Sequence, residues 1–242
     1  MKALILAAGL GSRLQGHTQD VPKCLVPVHG KPILEYQLEA LLRNNIKEII
    51  IVTGYKSEKI KHFLSTHDQF KHLTITYVHN PEYGCSNSSY SLWLARNEVL
   101  GMPYLHLNCD IILTPSLITR IIASPHDNLI VLDTKIALHD NMEQVVLQGD
   151  KIIKMENSLF EGSVAKAVGA AKLSPPLVNW LINQIKYYLS RGDKNQNYYG
   201  MMRQALHHHE VYGMNAGNEI LYEINTVEDL HHVSDVLAKI GR

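Results

Sequence analysis

Lys2-Ala-Leu-Ile-Leu-Ala-Ala-Gly-Leu-Gly-Ser-Arg-Leu14 decides the fold class of this chain. The unbroken apolar run from Ala3 to Ala7 is what a strand buried on both faces of a sheet requires, and such strands belong to parallel sheets covered by helices. The run opens directly into a loop carrying Gly9 and Gly11. Glycines at the carboxyl end of a buried strand let backbone N–H groups approach a ligand closely. On glycines alone, a plain strand-to-loop turn is the better reading. Arg13 and Lys23 add two cations and tip the balance towards a bound polyphosphate.

Strand and helix patterns alternate after this start. A helix begins at Pro32 and carries Ile33, Leu34, Gln37, Leu38, Leu41 and Leu42 near helical spacing, ending at Asn44-Asn45. Glu48 to Thr53 reads as a second buried strand stopped by Gly54, and Ser57 as the cap of the next helix. Leu73 to Val78 is a third strand. A polar loop, His79 to Ser86, leads to a helix capped by Asn87 or Ser88 that carries Tyr90, Leu92, Trp93, Leu94 and Val99. Pro103 to Leu107 and Asn128 to Leu132 are further strands, separated by a short helix from Pro115. Gly149-Asp150 between Glu143–Leu147 and Lys151–Met155 is a hairpin signal. Val164 to Leu173 is a strand, a long helix runs from Pro175 to Leu189, and a shorter one from Tyr198 to Leu206. Ile220 to Ile224 is a last strand and Thr226 to Ile240 a last helix. Strands alternating with helices imply a parallel sheet with crossovers, which the hairpin and later strands extend or cover. With no repeat and no low-complexity linker, residues 1–242 read as one domain.

Composition narrows the functions on offer. Lys plus Arg total 23 and Asp plus Glu total 23, a net charge of zero that disfavours a nucleic-acid partner. Three scattered cysteines, Cys24, Cys85 and Cys109, argue for a reducing compartment rather than a disulfide framework. Gly9, Gly11 and Arg13 arrive too early for a secretory segment, and no run approaches the ~18 apolar residues that span a bilayer. The expectation is a soluble cytoplasmic protein with no membrane partner, a monomer or homodimer.

Two polar constellations fall at strand ends. Asp110 follows the strand Pro103–Leu107, where ligands of open α/β sheets bind, and is placed to ligate Mg²⁺; it equally suits the cap of a turn. In Glu223-Ile224-Asn225-Thr226, period-2 alternation puts Glu223 and Asn225 on one face. Asn225 or Thr226 also suits the N-cap of the last helix. The third glycine of the dinucleotide fingerprint is replaced by Leu14, which together with Arg13 and Lys23 disfavours a nicotinamide-dependent oxidoreductase, and the Gly-Lys-Ser/Thr of a Walker loop is also absent. His207-His208-His209-Glu210 and His231-His232 read as solvated helix ends, because consecutive residues point in different directions.

Leu6-Ala-Ala-Gly-Leu-Gly-Ser-Arg-Leu14, Pro22-Lys23 and Gly30-Lys31-Pro32-Ile33 together resemble the signature of the sugar-phosphate nucleotidyltransferase superfamily. Asn80 to Leu92 is similar to its phosphocholine cytidylyltransferase branch. The resemblance covers nearly the whole chain and weakens after residue 133. It implies a three-layer α/β fold, Rossmann-like and glycosyltransferase-A-like, with a mixed, mostly parallel sheet. The nucleotide-binding half would be about 1–132, and the acceptor half about 133–242, with a small β-hairpin lobe. By resemblance, Arg13 and Lys23 are the catalytic cations. Leu6, Ala8, Gly9, Gly11, Ser12, Ser86, Asn87 and Ser88 hold the nucleotide; Gly169, Tyr198 and Glu223 hold the acceptor. Asp110 and Asn225 ligate Mg²⁺. The implied reaction moves CMP from CTP to a small phosphorylated or phosphonylated acceptor and releases pyrophosphate.

Three departures stand out. Asn225 replaces the family's aspartate. Glu156-Asn157 replaces a Gly-Lys after the hairpin, leaving Lys154 or Lys172 as substitutes for a phosphate-binding lysine. The acid expected after Tyr198-Tyr199-Gly200-Met201 is absent, which leaves Glu223 as the candidate for holding a quaternary ammonium. The alternatives are a sugar-1-phosphate nucleotidyltransferase using UTP or dTTP, and a catalytically silent nucleotide sensor on the same fold.

Overall fold

The structure is a computed structural model and describes residues 1–240. The chain runs through β1 (Lys2–Ala7), two 3-10 turns, β2 (Pro27–Val28), β3 (Lys31–Pro32), α1 (Ile33–Arg43), β4 (Glu48–Thr53), α2 (Ser57–Thr66) and β5 (Thr74–His79). It continues with α3 (Ser88–Leu94), α4 (Arg96–Val99), β6 (Tyr104–Asn108), β7 (Ile111–Leu113), α5 (Pro115–Ala123) and β8 (Leu129–Asp133). The hairpin β9 (Gln144–Gln148) and β10 (Lys151–Glu156) precedes β11 (Ala165–Leu173), α6 (Pro175–Ser190) and α7 (Tyr198–Ala205). β12 (Tyr212–Asn215), β13 (Leu221–Glu223) and α8 (Val227–Ile240) complete it.

Nine strands form the central sheet in the order β5-β4-β1-β6-β11-β8-β12-β10-β9. β5, β4, β1 and β6 are parallel, and β12 is parallel to β8. β11 runs antiparallel to both β6 and β8, and β10 antiparallel to both β12 and β9. The sheet is therefore mixed, with four parallel and four antiparallel neighbouring pairs, and β11 from late in the chain is wedged between two earlier strands.

Alternation along β1 explains the layers. Leu4 and Leu6 enter one apolar core with α3, α6 and α7, while Ala3, Ile5 and Ala7 enter another with α1, α2 and α5. Each fully buried Leu or Ile contributes about 1.5–3 kcal/mol, so a strand apolar on both sides needs helices on both sides. A third cluster joins Leu14, Val26, Val28 and Ile33 to Ile224, Leu230 and Val233. It packs α8 onto the segment that follows the glycine loop.

Several local expectations need correction. Ser57 is the first residue of α2 rather than its cap; the cap position belongs to Lys56, at φ 48°. The helix expected after Asn87 or Ser88, carrying Tyr90 to Val99, is broken at Ala95 into α3 and α4. β13 does not extend the main sheet: it pairs antiparallel with β7 in a separate two-stranded sheet. Neither β7 nor β12 is foreseen by the sequence pattern. None of the described helices is long and apolar enough to cross a membrane.

Candidate active site

The site is built where β1, β6 and β13 end. Gly11 sits at φ 67°, where L side chains are strained, and a Cβ there would lie 3.0 Å from Lys23 Cβ. Thr18 Oγ1 donates to Gly11 O at 3.1 Å and Leu14 N to the same oxygen at 3.0 Å, so the loop is fixed from behind. Its backbone from Gly9 to Ser12 lines a cavity of about 440 Å³ with Leu6, Ala8, Arg13, Lys23, Asp110 and Asn225.

Four charged and amide side chains meet at this cavity. Lys23 Nζ donates to Asp110 Oδ2 at 2.7 Å and to Asn225 Oδ1 at 3.0 Å. Arg13 Nη2 donates to the same Asn225 oxygen at 2.7 Å. The Lys23 and Asp110 side chains are only 11% and 15% exposed, so the pair is little screened by solvent. The main chain holds the donors in place. Ile224 N donates to Asp110 O at 2.8 Å, and Gln37 Nε2, reaching from α1, bonds Asn108 O and Ile111 O at 2.7 and 3.0 Å.

The two readings left open for Asp110 and Asn225 separate here. Thr114, not Asp110, caps α5 by accepting from Leu117 N. Thr226 and Asp229 cap α8: Asp229 Oδ2 accepts from Asn225 N and Thr226 N, and Thr226 Oγ1 from Asp229 N. Both side chains are thereby left to the cavity. Asp110 Oδ1 is buried without a partner among the described residues. The bare Asp110 oxygen fits Mg²⁺, which takes one or two protein oxygens and completes its shell with water and phosphate, whereas the Asn225 oxygen here accepts from both Arg13 and Lys23.

The opposite wall is the loop after β5. Asn80 Nδ2 bonds Ser86 Oγ and Ser91 Oγ, each at 3.1 Å, and holds the loop's curvature. Ser86, Asn87 and Ser88 line the cavity. Asn87 Oδ1 caps α3 through Ser88 N, and Ser88 Oγ accepts from Tyr198 N at 2.8 Å, which leaves the Asn87 amide NH₂ as a donor at the cavity wall. Tyr198 is a buried floor residue stacked on His106, ring centroids 4.0 Å apart. Its neighbour Tyr199 also lines the cavity. Burial, with Glu223, Glu143 and Asp110 nearby, pushes the Tyr199 phenol well up, so it stays a neutral donor.

A second cavity, about 500 Å³, shares Arg13 and Asn225 with the first and is lined by Glu223, Lys166, Lys135 and Asp133. Glu223 is ion-paired there with Lys166. The lysines expected to replace the missing one are elsewhere: Lys154 Nζ lies over the Phe160 ring and Lys172 Nζ is buried on Ser124 O at 2.7 Å. Neither lines either of these two cavities. Gly169 lines neither cavity as well; a Cβ there would lie 2.5 Å from the Asn108 side chain, so its role is to admit Asn108. Lys166 escaped the sequence reading, although a lone lysine in Ala-Lys-Ala-Val-Gly is a signal. The described residues contain no grouping of three His, Cys, Asp or Glu side chains able to hold a metal, the histidine tract included.

Residues 3–161 match the family model of the MobA-like NTP transferase domain. Over 98% of its length and 98% of the relative's, the chain is 28% identical to choline-phosphate cytidylyltransferase of Streptococcus pneumoniae. The corresponding protein of Haemophilus influenzae is 27% identical over 96% of each chain. A solved structure of CTP:phosphocholine cytidylyltransferase from Streptococcus pneumoniae superposes with a TM-score of 0.81 at 24% identity, covering 98% of both chains, which shows a shared fold.

Proposed function

Since the chain belongs to the MobA-like NTP transferase domain family, and so is a nucleotidyltransferase, we propose that it transfers CMP from CTP to a small phosphorylated or phosphonylated acceptor with release of pyrophosphate. The convergence of Arg13, Lys23, Asp110 and Asn225 at the junction of two cavities carries this reading. One cavity suits a nucleotide and the other an acceptor, and the four side chains stand where the two would react. The cytidylyl choice is supported by relatives of equal length that are named as cytidylyltransferases.

An acceptor phosphate oxygen forms a bond to the α-phosphorus as the bond from that phosphorus to the bridging oxygen breaks, and the electron pair leaves with pyrophosphate. The acceptor phosphate is mostly ionised at neutral pH, its second pKa being about 6, so no general base is required. Catalysis reduces to holding two anions together and neutralising the charge that develops. The backbone of Gly9 to Ser12 cradles the triphosphate. Lys23 Nζ carries three protons and can turn from Asp110 to a phosphate oxygen, while Arg13 faces the leaving group. Asp110 and Asn225 would hold Mg²⁺, which when bound neutralises triphosphate charge.

The test is pyrophosphate release with four NTPs and a panel of phosphorylated acceptors in Mg²⁺. Lys23→Ala and Asp110→Ala are each expected to lower turnover roughly 10²–10³-fold, the scale of a lost electrostatic contact, with circular dichroism unchanged. Near-normal turnover of Lys23→Ala overturns the mechanism. Turnover only with UTP or dTTP and a sugar 1-phosphate reassigns the substrates, and CTP binding without turnover on any pair points to a sensor.

A further inference from the structure

The acceptor's anionic group needs a cation in the second cavity, and the position after the hairpin, where a lysine was expected, holds Glu156 and Asn157. Glu156 faces Arg203 at 3.7 Å instead. Beside Arg13, which is bound to Asn225 at the junction of the two cavities, two lysines line this one, Lys135 and Lys166. Lys135 is exposed in the loop after β8. Lys166 is different: its side chain is 14% exposed, and its ammonium is paired with Glu223, itself 16% exposed. Taking an ion pair this far out of water costs more than an apolar pair of similar volume, so packing alone does not account for it.

Position adds the rest. Glu223 and Asn225 are two residues apart, roughly 7 Å along the chain by strand spacing, and the Asn225 amide oxygen touches both Arg13 and Lys23. Lys166 therefore stands one step from the reacting centre, on the acceptor side. We propose that Lys166 is the cation that binds the acceptor's phosphate or phosphonate, with Glu223 as the positioning residue that aims it. An ammonium has three donors, and Glu223 occupies one, so an anion can be bound without breaking the pair. Glu223 is correspondingly neutralised and is not a free carboxylate for a quaternary ammonium. The acceptor is recognised here by its anion.

This assignment rests on the transferase reading, and its test separates the two. Removing Lys166 alone strands a buried carboxylate, so Lys166→Met is paired with the double variant Lys166→Met/Glu223→Gln and with Lys166→Arg. The first readout is ³¹P NMR titration of inorganic phosphate with the first cavity filled by a CTP analogue carrying an α,β-methylene bridge. The second is the KM for acceptor against the KM for CTP. Both methionine variants are expected to weaken phosphate binding and raise the acceptor KM about ten- to hundredfold, the scale of a lost charged hydrogen bond. CTP affinity is expected to stay within about twofold, and Lys166→Arg to recover most of the loss. Unchanged phosphate affinity in the double variant, equal losses for CTP and acceptor, or no phosphate binding to the wild-type ternary site overturns the assignment. Wild-type phosphate binding that disappears with Lys166, without pyrophosphate release on any pair, supports Lys166 and sinks the transferase reading instead.

Discussion

Gly54 ends β4 where the backbone after β1 passes. A Cβ at Gly54 would lie 2.6 Å from Ala8 O and 2.7 Å from Tyr83 Cβ, while Tyr55 N donates to that same Ala8 oxygen at 3.0 Å. The glycine therefore sets how closely β4 supports the glycine loop after β1, and Tyr83 on its other side lines the same cavity. Neither the Ala8 carbonyl nor the Tyr83 Cβ is the end of a flexible side chain, so neither can move aside cheaply. Gly54→Ala is expected to cost about 1–3 kcal/mol of stability, the usual range for overpacking, and to lower nucleotide affinity. Urea unfolding and CTP binding measure the two; an unperturbed midpoint shows that the loop can retreat from β4 freely. Chemistry at single residues depends on such constraints elsewhere. Asn225 reaches Lys23 because Thr226 and Asp229 between them supply the cap of α8.

Among the elements, the wall facing the glycine loop is made by joining two distant segments. Asn87 N donates to Lys194 O at 2.9 Å, Ser89 bonds Gln196 O, and Lys194 Nζ meets Glu82 at 2.5 Å. Asn197 then caps α7 by accepting from Gly200 N, which fixes the first turn that carries Tyr198 and Tyr199 into the cavity. Asn197→Ala is expected to cost about 1 kcal/mol at this cap. If that turn frays, CTP affinity falls up to about fivefold by the same free energy while turnover at saturation changes little. An unchanged KM for CTP in this variant would show that the tyrosines are held by packing alone.

β1, β4, β6 and α6 were readable because long apolar runs and helical spacing are local signals. β12 was not: it is four residues, and its Gly213 looks like a turn, whereas it lies in a strand closely packed by the Leu132 and Leu147 side chains. β13 was read as the strand Ile220 to Ile224, but its partner β7 was not, because the two are three residues each and pair across more than a hundred positions. Arg13, Lys23, Asp110 and Asn225 were legible from motif and strand end, and the structure brings them together. Lys166 was missed because its partner, Glu223, is assigned by tertiary pairing and not by spacing.

At the scale of the whole molecule, stability and the site share a centre. His106 lies fully buried on β6, the strand that ends at the Lys23–Asp110 pair. Its ring stacks on Tyr198, its Nε2 meets Asn108 Oδ1 at 3.2 Å, and its Nδ1 has no partner among the described residues. Burial pushes its pKa down to about 4, against an ordinary value of 6.5. The native state thus takes up its proton only near pH 4, while the unfolded chain takes it up near 6.5. Stability contributed by the neutral ring is complete above pH 6.5, declines as pH falls from 6.5 to 4, and levels off below, for a total of about 3 kcal/mol. About 2 kcal/mol of that is lost between pH 7 and pH 5. Other titrating groups add their own slopes, so the contribution of His106 is read as a difference. His106→Phe keeps an aromatic face for Tyr198 and has nothing to protonate. Urea unfolding at pH 7 and pH 5 is expected to show a drop about 2 kcal/mol smaller in the variant than in the wild type. The same drop in both proteins means that the ring is hydrated or paired in solution. In that case Tyr198 and Asn108, which rest on it, lose their fixed support beneath the site.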